Sequence, residues 1–219
     1  MIAARVVEPE WLDTMPPDDP RARRSRRDLA RLNAIMRNAG LVARELRGIR
    51  LGRIAEIGAG DGGFAVRLAQ RVRGPGSFVL LDRQRSQLPA PVEGWRFEAA
   101  VHDALEWLED ERTGSFEAIV ANLFLHHFDD AALGRLLAGV ARRTSRFVAC
   151  EPRRSAFALA GSRLVGLAGC NDVTRHDAVA SVRAGFRASE ISALWPTPGW
   201  RLEERARGLF SHLFTAVRE

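Results

Sequence analysis

The chain has 219 residues, 46% hydrophobic and 27% charged, with a formal net charge of +6. That is enough for one sizeable core, or at most two small ones. Nothing approaches the run of about 18 apolar residues that a transmembrane helix needs, so no membrane span is expected. Glu8 and Glu10 interrupt the N-terminus too early for a signal-peptide core. Two cysteines, Cys150 and Cys170, form neither a disulfide framework nor a CxxC pair for zinc. No metal site is expected, and a reduced, cytoplasmic compartment is the default.

Two absences narrow the chemistry. There is no Tyr, and all 33 basic residues are Arg. That excludes a phosphate-binding P-loop lysine, a Schiff-base lysine and a catalytic tyrosine. A strongly basic balance ordinarily points to nucleic acid, but a uniform Arg-for-Lys bias accounts for it, and no specific nucleic-acid partner is expected. The five His residues and the carboxylates are the remaining proton-transfer candidates.

In chain order, the first 20 residues, rich in Pro and Asp, read as an irregular arm. Residues 21–47 read as a helix, with Asp18 or Asp19 as N-cap and Pro20 in its first turn. Leu29, Leu32, Ile35 and Met36 supply its apolar spacing, the RARRSRR run its solvated face, and Gly40 its interruption. From Gly52 the pattern becomes strand, glycine turn, helix. Strands are expected at 53–57, 77–82, 95–100, 116–123 and 146–151, with helices at 64–72 and 129–143. Strands alternating with helices mean a parallel sheet covered on both faces. Beyond Ser155 two helical stretches are expected, the first packing Phe157, Leu159, Leu164, Val165 and Leu167. Val173-Thr174-Arg175-His176-Asp177 reads as a solvated polar loop between them, with Arg175 or His176 over a pocket as the other reading. The final segments, WRLEERA and SHLFTAV, read as a hairpin joined through Arg207-Gly208-Leu209-Phe210.

The glycine turn carries the first chemical signal. Glu56-Ile57-Gly58-Ala59-Gly60-Asp61-Gly62-Gly63 follows a strand and opens a helix at Phe64. Glycines let a ligand approach the backbone, and the helix N-terminus offers free amides and a positive dipole. Asp82 ends the next strand, where a carboxylate can accept both hydroxyls of a ribose. Gly58, Gly60 and Gly63 also satisfy the dinucleotide pattern GxGxxG, and Arg83 beside Asp82 suits a 2′-phosphate, so NADP is the alternative nucleotide.

Read as ExGxGxG through Glu56, Gly58, Gly60 and Gly62, the turn resembles the first motif of class I S-adenosylmethionine (SAM)-dependent methyltransferases. The resemblance continues in order. Asp82 stands at the family's ribose-binding acid, and His102-Asp103-Ala104 resembles the segment whose Asp receives the adenine amino group. Ala121-Asn122-Leu123-Phe124-Leu125-His126-His127-Phe128 resembles the motif after the fourth strand in the small-molecule branch. The match is close over 52–152 and rests on pattern alone over 153–219. It implies a Rossmann-like, doubly wound, seven-stranded α/β sheet, mostly parallel with an antiparallel C-terminal strand and an N-terminal helical extension. It divides the chain into an arm and helical lid (1–48) and a SAM-binding domain (49–219). The cofactor residues it implies are Glu56, Gly58, Ala59, Gly60, Gly62, Gly63, Phe64, Asp82, Arg83, His102, Asp103, Ala104, Asn122 and Leu123.

His126 and His127 follow the fourth strand, at the carboxyl edge where open α/β sheets bind ligands. A neutral imidazole, with an ordinary pKa of about 6.5, can deprotonate a phenol or enol; capping or packing at the next helix is the other reading. Adjacent residues at such a turn diverge, so one of the pair is expected to face the site. Leu123 and Phe124 stand where enzymes methylating nucleobases or glutamine side chains carry Pro-Pro. The expected acceptor is therefore a small aromatic, quinonoid or polyketide-like metabolite, methylated on a hydroxyl or an activated carbon by a monomer or homodimer. An NADP-dependent oxidoreductase and an RNA methyltransferase are the alternatives.

Overall fold

A computed structural model describes residues 4–16, 18–84, 88–196 and 198–219; residues 1–3 and Pro17 of the expected arm lie outside these. Seven strands form one sheet in the order β3-β2-β1-β4-β5-β7-β6. These are β1 (Arg53–Ile57), β2 (Gly76–Asp82), β3 (Trp95–Val101), β4 (Ala118–Asn122), β5 (Arg146–Pro152), β6 (Trp200–Arg207) and β7 (Ser211–Arg218). The first five pair in parallel, and β7 runs antiparallel between β5 and β6. The expected seven-stranded, mostly parallel sheet with its antiparallel terminal strand is the fold observed. The central strands read as largely apolar runs, interrupted by Glu56 in β1 and Glu151 in β5, because both of their faces are covered.

Two packed layers do the covering. On one face α3 (Asn38–Glu45) and α4 (Gly63–Ala69) close over Ile54, Phe78, Val120 and Val148. On the other, α5 (Ala104–Glu109) and α6 (Asp130–Arg143) cover Ile57, Leu81, Ile119 and Phe147. The apolar side chains expected to define α6, namely Leu133, Leu136, Leu137 and Val140, are all fully buried. Asp129 Oδ1 caps that helix by accepting the Ala132 amide at 2.8 Å. Strand order reverses about β1, so the carboxyl ends of β1, β2 and β4 form the crevice where such sheets bind ligands.

The flanking segments differ from expectation in five places. The arm contains one helical turn, α1 (Trp11–Thr14). The N-terminal helix α2 (Pro20–Met36) is capped by Asp19, as expected, but breaks at Arg37, whose left-handed φ of 59° ends it; Gly40 lies inside α3. The buried face of α2 is Ala22, Ser25 and Asp28. The apolar stripe points elsewhere, and Ile35 is 71% exposed. Residues 173–177 lie not in a loop but in the first turns of α8 (Asp172–Ala184), with Val173, Thr174 and Asp177 buried. Finally, Phe157, Leu164 and Leu167, on and just after α7 (Ala156–Leu164), are exposed rather than packed.

Candidate functional site

Backbone bonds stitch the glycine turn to the tip of β2. The Ala59 amide donates to Leu81 O at 2.9 Å, and the Gly60 amide to Asp82 Oδ2 at 2.9 Å. Asp82 Oδ1 accepts the Gln84 amide, also at 2.9 Å. Each carboxylate oxygen keeps a lone pair for a further donor. Gly58, Gly60 and Gly62 have φ of 70°, 55° and 71°, a region that L side chains avoid. Their surroundings differ. A side chain at Gly62 would strike Leu80, and one at Gly58 would strike the Phe124 ring, whereas the space over Gly60 is open. A cleft there is lined by Gly60, Asp61, Leu80, Asp82, Gln84 and Ala99–Val101, among others. It has the position expected for a nucleoside.

Glu56, inside β1, is 1% exposed, and its Oε2 has no partner among the described residues. Burial pushes its carboxyl well above the usual carboxylate range, and repulsion from Asp61 and Asp82 adds to this. A buried, unsatisfied oxygen is costly; a ligand ammonium would satisfy it. Asp103 caps α5, its Oδ1 accepting the Leu105 and Glu106 amides. Arg83 is exposed, 4.0 Å from Asp103 Oδ2, and His102 is exposed beside it. Ala104 and Phe64 are buried, Gly63 opens α4, and Leu123 turns the chain with φ of 54°.

At the end of β4, Asn122 is held by the N-terminal helices. Asn38 Nδ2 donates to Asn122 Oδ1 at 2.9 Å, and Asn122 Nδ2 donates to Asn33 Oδ1 at 3.3 Å. Arg26 Nη2 contacts Gln84 Oε1 at 3.4 Å. Through these contacts α2 spans from the edge of β2 to the tip of β4.

His126 and His127 occupy a 3-10 turn, Leu125–His127; contrary to the expectation that adjacent residues there diverge, their rings lie side by side with centroids 4.3 Å apart. His126 is 3% exposed. Its Nδ1 lies 2.8 Å from Glu151 Oε2 and its Nε2 3.3 Å from Glu10 Oε1. Glu151, fully buried at the end of β5, also accepts the amides of Phe124, Leu125 and His126. Burial alone would lower the imidazole pKa, but bonds to Glu10 and Glu151 outweigh it and raise it to about 9. The same contact draws Glu10 below its ordinary value despite burial. His126 therefore holds its proton at neutral pH in this arrangement. His127 is partly exposed, with Nδ1 3.3 Å from Asp13 Oδ2.

Glu10 and Asp13 belong to the arm, which acts as a strap. Arg5 donates to Phe128 O and Asp130 Oδ1, and the Val6 amide to Arg183 O. Glu10, Asp13, Asn33, Asn38 and Glu151 were not among the residues expected at the site. Glu151, an acid ending an otherwise apolar strand, carried a readable signal; the other four did not.

A glycine turn, an acid ending β2 and a polar turn after β4, on this sheet order, together define a class I methyltransferase fold. A family model described as "Methyltransferase domain" matches residues 54–164. That is half of the chain, which belongs to this family. No curated protein matches. Among solved structures the chain is similar to the mitomycin 7-O-methyltransferase, with a TM-score of 0.62 and 20% identity over 95% of this chain and 60% of that one. It is similar to the plantazolicin methyltransferase solved with S-adenosylhomocysteine, with 0.61 and 12% over 92% of both chains. An O-methyltransferase family protein from Burkholderia thailandensis gives 0.58 and 15%, over 92% of this chain and 61% of that one. The chain thus spans about 60% of the length of several of these neighbours.

Proposed function

We propose that the protein is a SAM-dependent methyltransferase acting on a small aromatic, quinonoid or polyketide-like acceptor, at a hydroxyl or an activated carbon. The observation that carries this reading is the junction of Gly60 and Asp82. An open, positive-φ glycine faces a carboxylate with lone pairs to spare, as a ribose hydroxyl pair demands. The unpartnered Glu56 Oε2 suits the ammonium of the methionine end and has no counterpart in a dinucleotide diphosphate. When bound, SAM supplies a sulfonium methyl group, the electrophile of an in-line displacement.

What the chain must do is position the acceptor and receive a proton where the acceptor carries one. His126 already holds a proton, so His127, with its Nδ1 3.3 Å from Asp13 Oδ2, is the imidazole left to accept one. Residues 1–48 serve as arm and lid in this reading, with α2 over the cleft through Arg26 and Asn33, and α3 beside it through Asn38. The small-molecule direction draws on Leu123 and Phe124 in place of Pro-Pro, and on fold neighbours that include the mitomycin 7-O-methyltransferase. No helix among the described residues is long and apolar enough to cross a membrane. Thermal shift with SAM, S-adenosylhomocysteine and NADP tests the cofactor; stabilisation by NADP alone would favour the oxidoreductase alternative.

A further inference from the structure

Where the strap meets the turn after β4, three side chains converge in a way that methyl transfer does not require. Ligand atoms of Glu10, His126 and His127 all lie within 4.8 Å of one another, and Glu10 and His126 are buried. His126 Nε2 and Glu10 Oε1 are 3.3 Å apart. Donors held about 2.0–2.1 Å from a tetrahedral divalent cation are themselves about 3.3–3.4 Å apart. The pair already stands at the separation a shared cation imposes.

His126 is also oriented from behind. Glu151 Oε2 bonds His126 Nδ1 at 2.8 Å, while Asp13 Oδ2 lies 3.3 Å from His127 Nδ1. A carboxylate on His126 Nδ1 retains that proton, so a cation that displaces the Nε2 proton meets a ring already in the tautomer and orientation found behind metal-bound histidines. Glu151 is itself pinned by three backbone amides, and Ser181 Oγ donates to Glu10 Oε1. The ligands are thus held by partners of their own.

We propose that Glu10, His126 and His127 form a site for one divalent cation of the zinc class, clasping the N-terminal strap to the turn after β4. Two imidazoles and one carboxylate favour Zn²⁺, or Co²⁺ in its place, over Mg²⁺ and Ca²⁺, which prefer oxygen shells. Glu10 and His126 are 116 residues apart in sequence, so the cation fastens an otherwise polar-bonded arm to the sheet edge. Three protein ligands leave a further position for water or another oxygen donor. In the metal-free protein His127 stays available as the proton acceptor, and a bound cation takes the His127 nitrogen that faces the cluster.

The test uses untagged, full-length protein stripped with chelator, loaded with ZnCl₂, and passed through gel filtration before metal analysis. The expected result is about one zinc per chain, with Co²⁺ giving visible d–d absorption of nitrogen and oxygen ligation. Glu10→Gln and His127→Ala should each weaken zinc binding by at least about 10–100-fold, the range for losing even an outer partner. Circular dichroism confirms that both variants fold, and His126 is left intact because its bond to Glu151 supports the turn. Zinc lost on gel filtration, or retained equally by both variants, overturns the site. SAM is absent from these measurements, so their failure leaves the cofactor reading standing, and the converse holds.

Discussion

Asp177 reaches from α8 to the backbone of the strap, where Oδ1 accepts the Trp11 amide at 2.9 Å and Oδ2 the Leu12 amide at 3.0 Å. These are the open donors at the start of α1, which has no side-chain cap of its own. The carboxylate that satisfies them is 2% exposed. The neighbouring His176 stacks its ring on Trp11 with centroids 4.0 Å apart. Two consecutive residues of one helix therefore grip a segment more than 160 positions away.

Replacing Asp177 by Ala should release the strap. Two backbone amides lose their acceptor, at a cost of about 1–3 kcal/mol, while the sheet and glycine turn are untouched. Thermal unfolding should show a lower midpoint, and limited trypsinolysis should cut at Arg5 faster than in wild type. Asp177→Asn keeps one acceptor oxygen and should fall between the two. Unchanged proteolysis in Asp177→Ala would mean that the contacts of Arg5 and Glu10 hold the strap unaided.

The same residues mark where sequence reading succeeds and where it stops. The sheet is legible because burial on both faces makes β1, β2, β4 and β5 nearly continuous apolar runs, and β1 falls at the expected bounds of 53–57. The glycine turn is legible because its φ values suit glycine alone. Residues 173–177 are not, since their polar composition looks solvated. Thr174 and Asp177 are buried only because Ser25, Asp28, Asn171 and the strap amides receive them. Such satisfaction exists only in the tertiary structure. Likewise, nothing local to His126 reveals that Glu151 and Glu10 flank it, because both partners arrive from distant segments.

Acid should loosen the terminal hairpin through Glu204. On β6 its carboxylate accepts the Ile191 and Ser192 amides and the Ser192 hydroxyl, and faces His212 Nε2 at 2.7 Å. Burial raises its pKa, but these bonds outweigh burial and leave it below the ordinary 4.5. A carboxyl depressed in the folded state contributes stability that is present above its unfolded value and lost as pH falls through the folded one. Glu204→Gln should therefore be less stable than wild type at pH 7, by about 1–3 kcal/mol. The difference should begin to shrink as pH falls below 4.5 and vanish as it passes through the lower folded-state value in denaturant titrations. A difference that stays constant at every acid pH where both proteins remain folded would show that the ionised carboxylate contributes nothing special.

Neither thiol should react in the native protein at neutral pH. Cys150 is fully buried in β5, and burial together with the adjacent Glu151 drives its thiol far above the usual range. Cys170 is 8% exposed, and burial with the nearby Asp28 raises it as well. Since thiolate is the reacting species, labelling by an aromatic disulfide should be slow until denaturant exposes both residues. Rapid modification of one thiol without denaturant would reveal local opening, and peptide mapping would identify which segment moves.

The cleft proposed for the cofactor gives the sharpest mutational contrast. Asp82→Ala removes the acceptor proposed for the ribose and also the partner of the Gly60 amide. SAM binding should weaken by about 2–4 kcal/mol, the scale for deleting a charged, partly buried acceptor. Asp82→Asn carries no charge, and its single amide oxygen can accept from Gly60 or from Gln84 but not from both, so it should bind SAM better than Asp82→Ala and worse than wild type. Gly60→Val acts differently. Its φ of 55° costs a β-branched residue about 1–2 kcal/mol, and its side chain would enter space that the protein leaves empty. A modest loss of stability with a near-complete loss of SAM binding is expected there, because the added methyls occupy the position of the ligand. Titration calorimetry of the three variants against SAM and S-adenosylhomocysteine, with NADP as control, measures each effect. If Asp82→Ala and Gly60→Val bind SAM as wild type does, the cofactor lies elsewhere on the sheet edge. Micromolar NADP binding without SAM binding would instead reassign the cleft to a dinucleotide, with Arg83 as the residue that reads its phosphate.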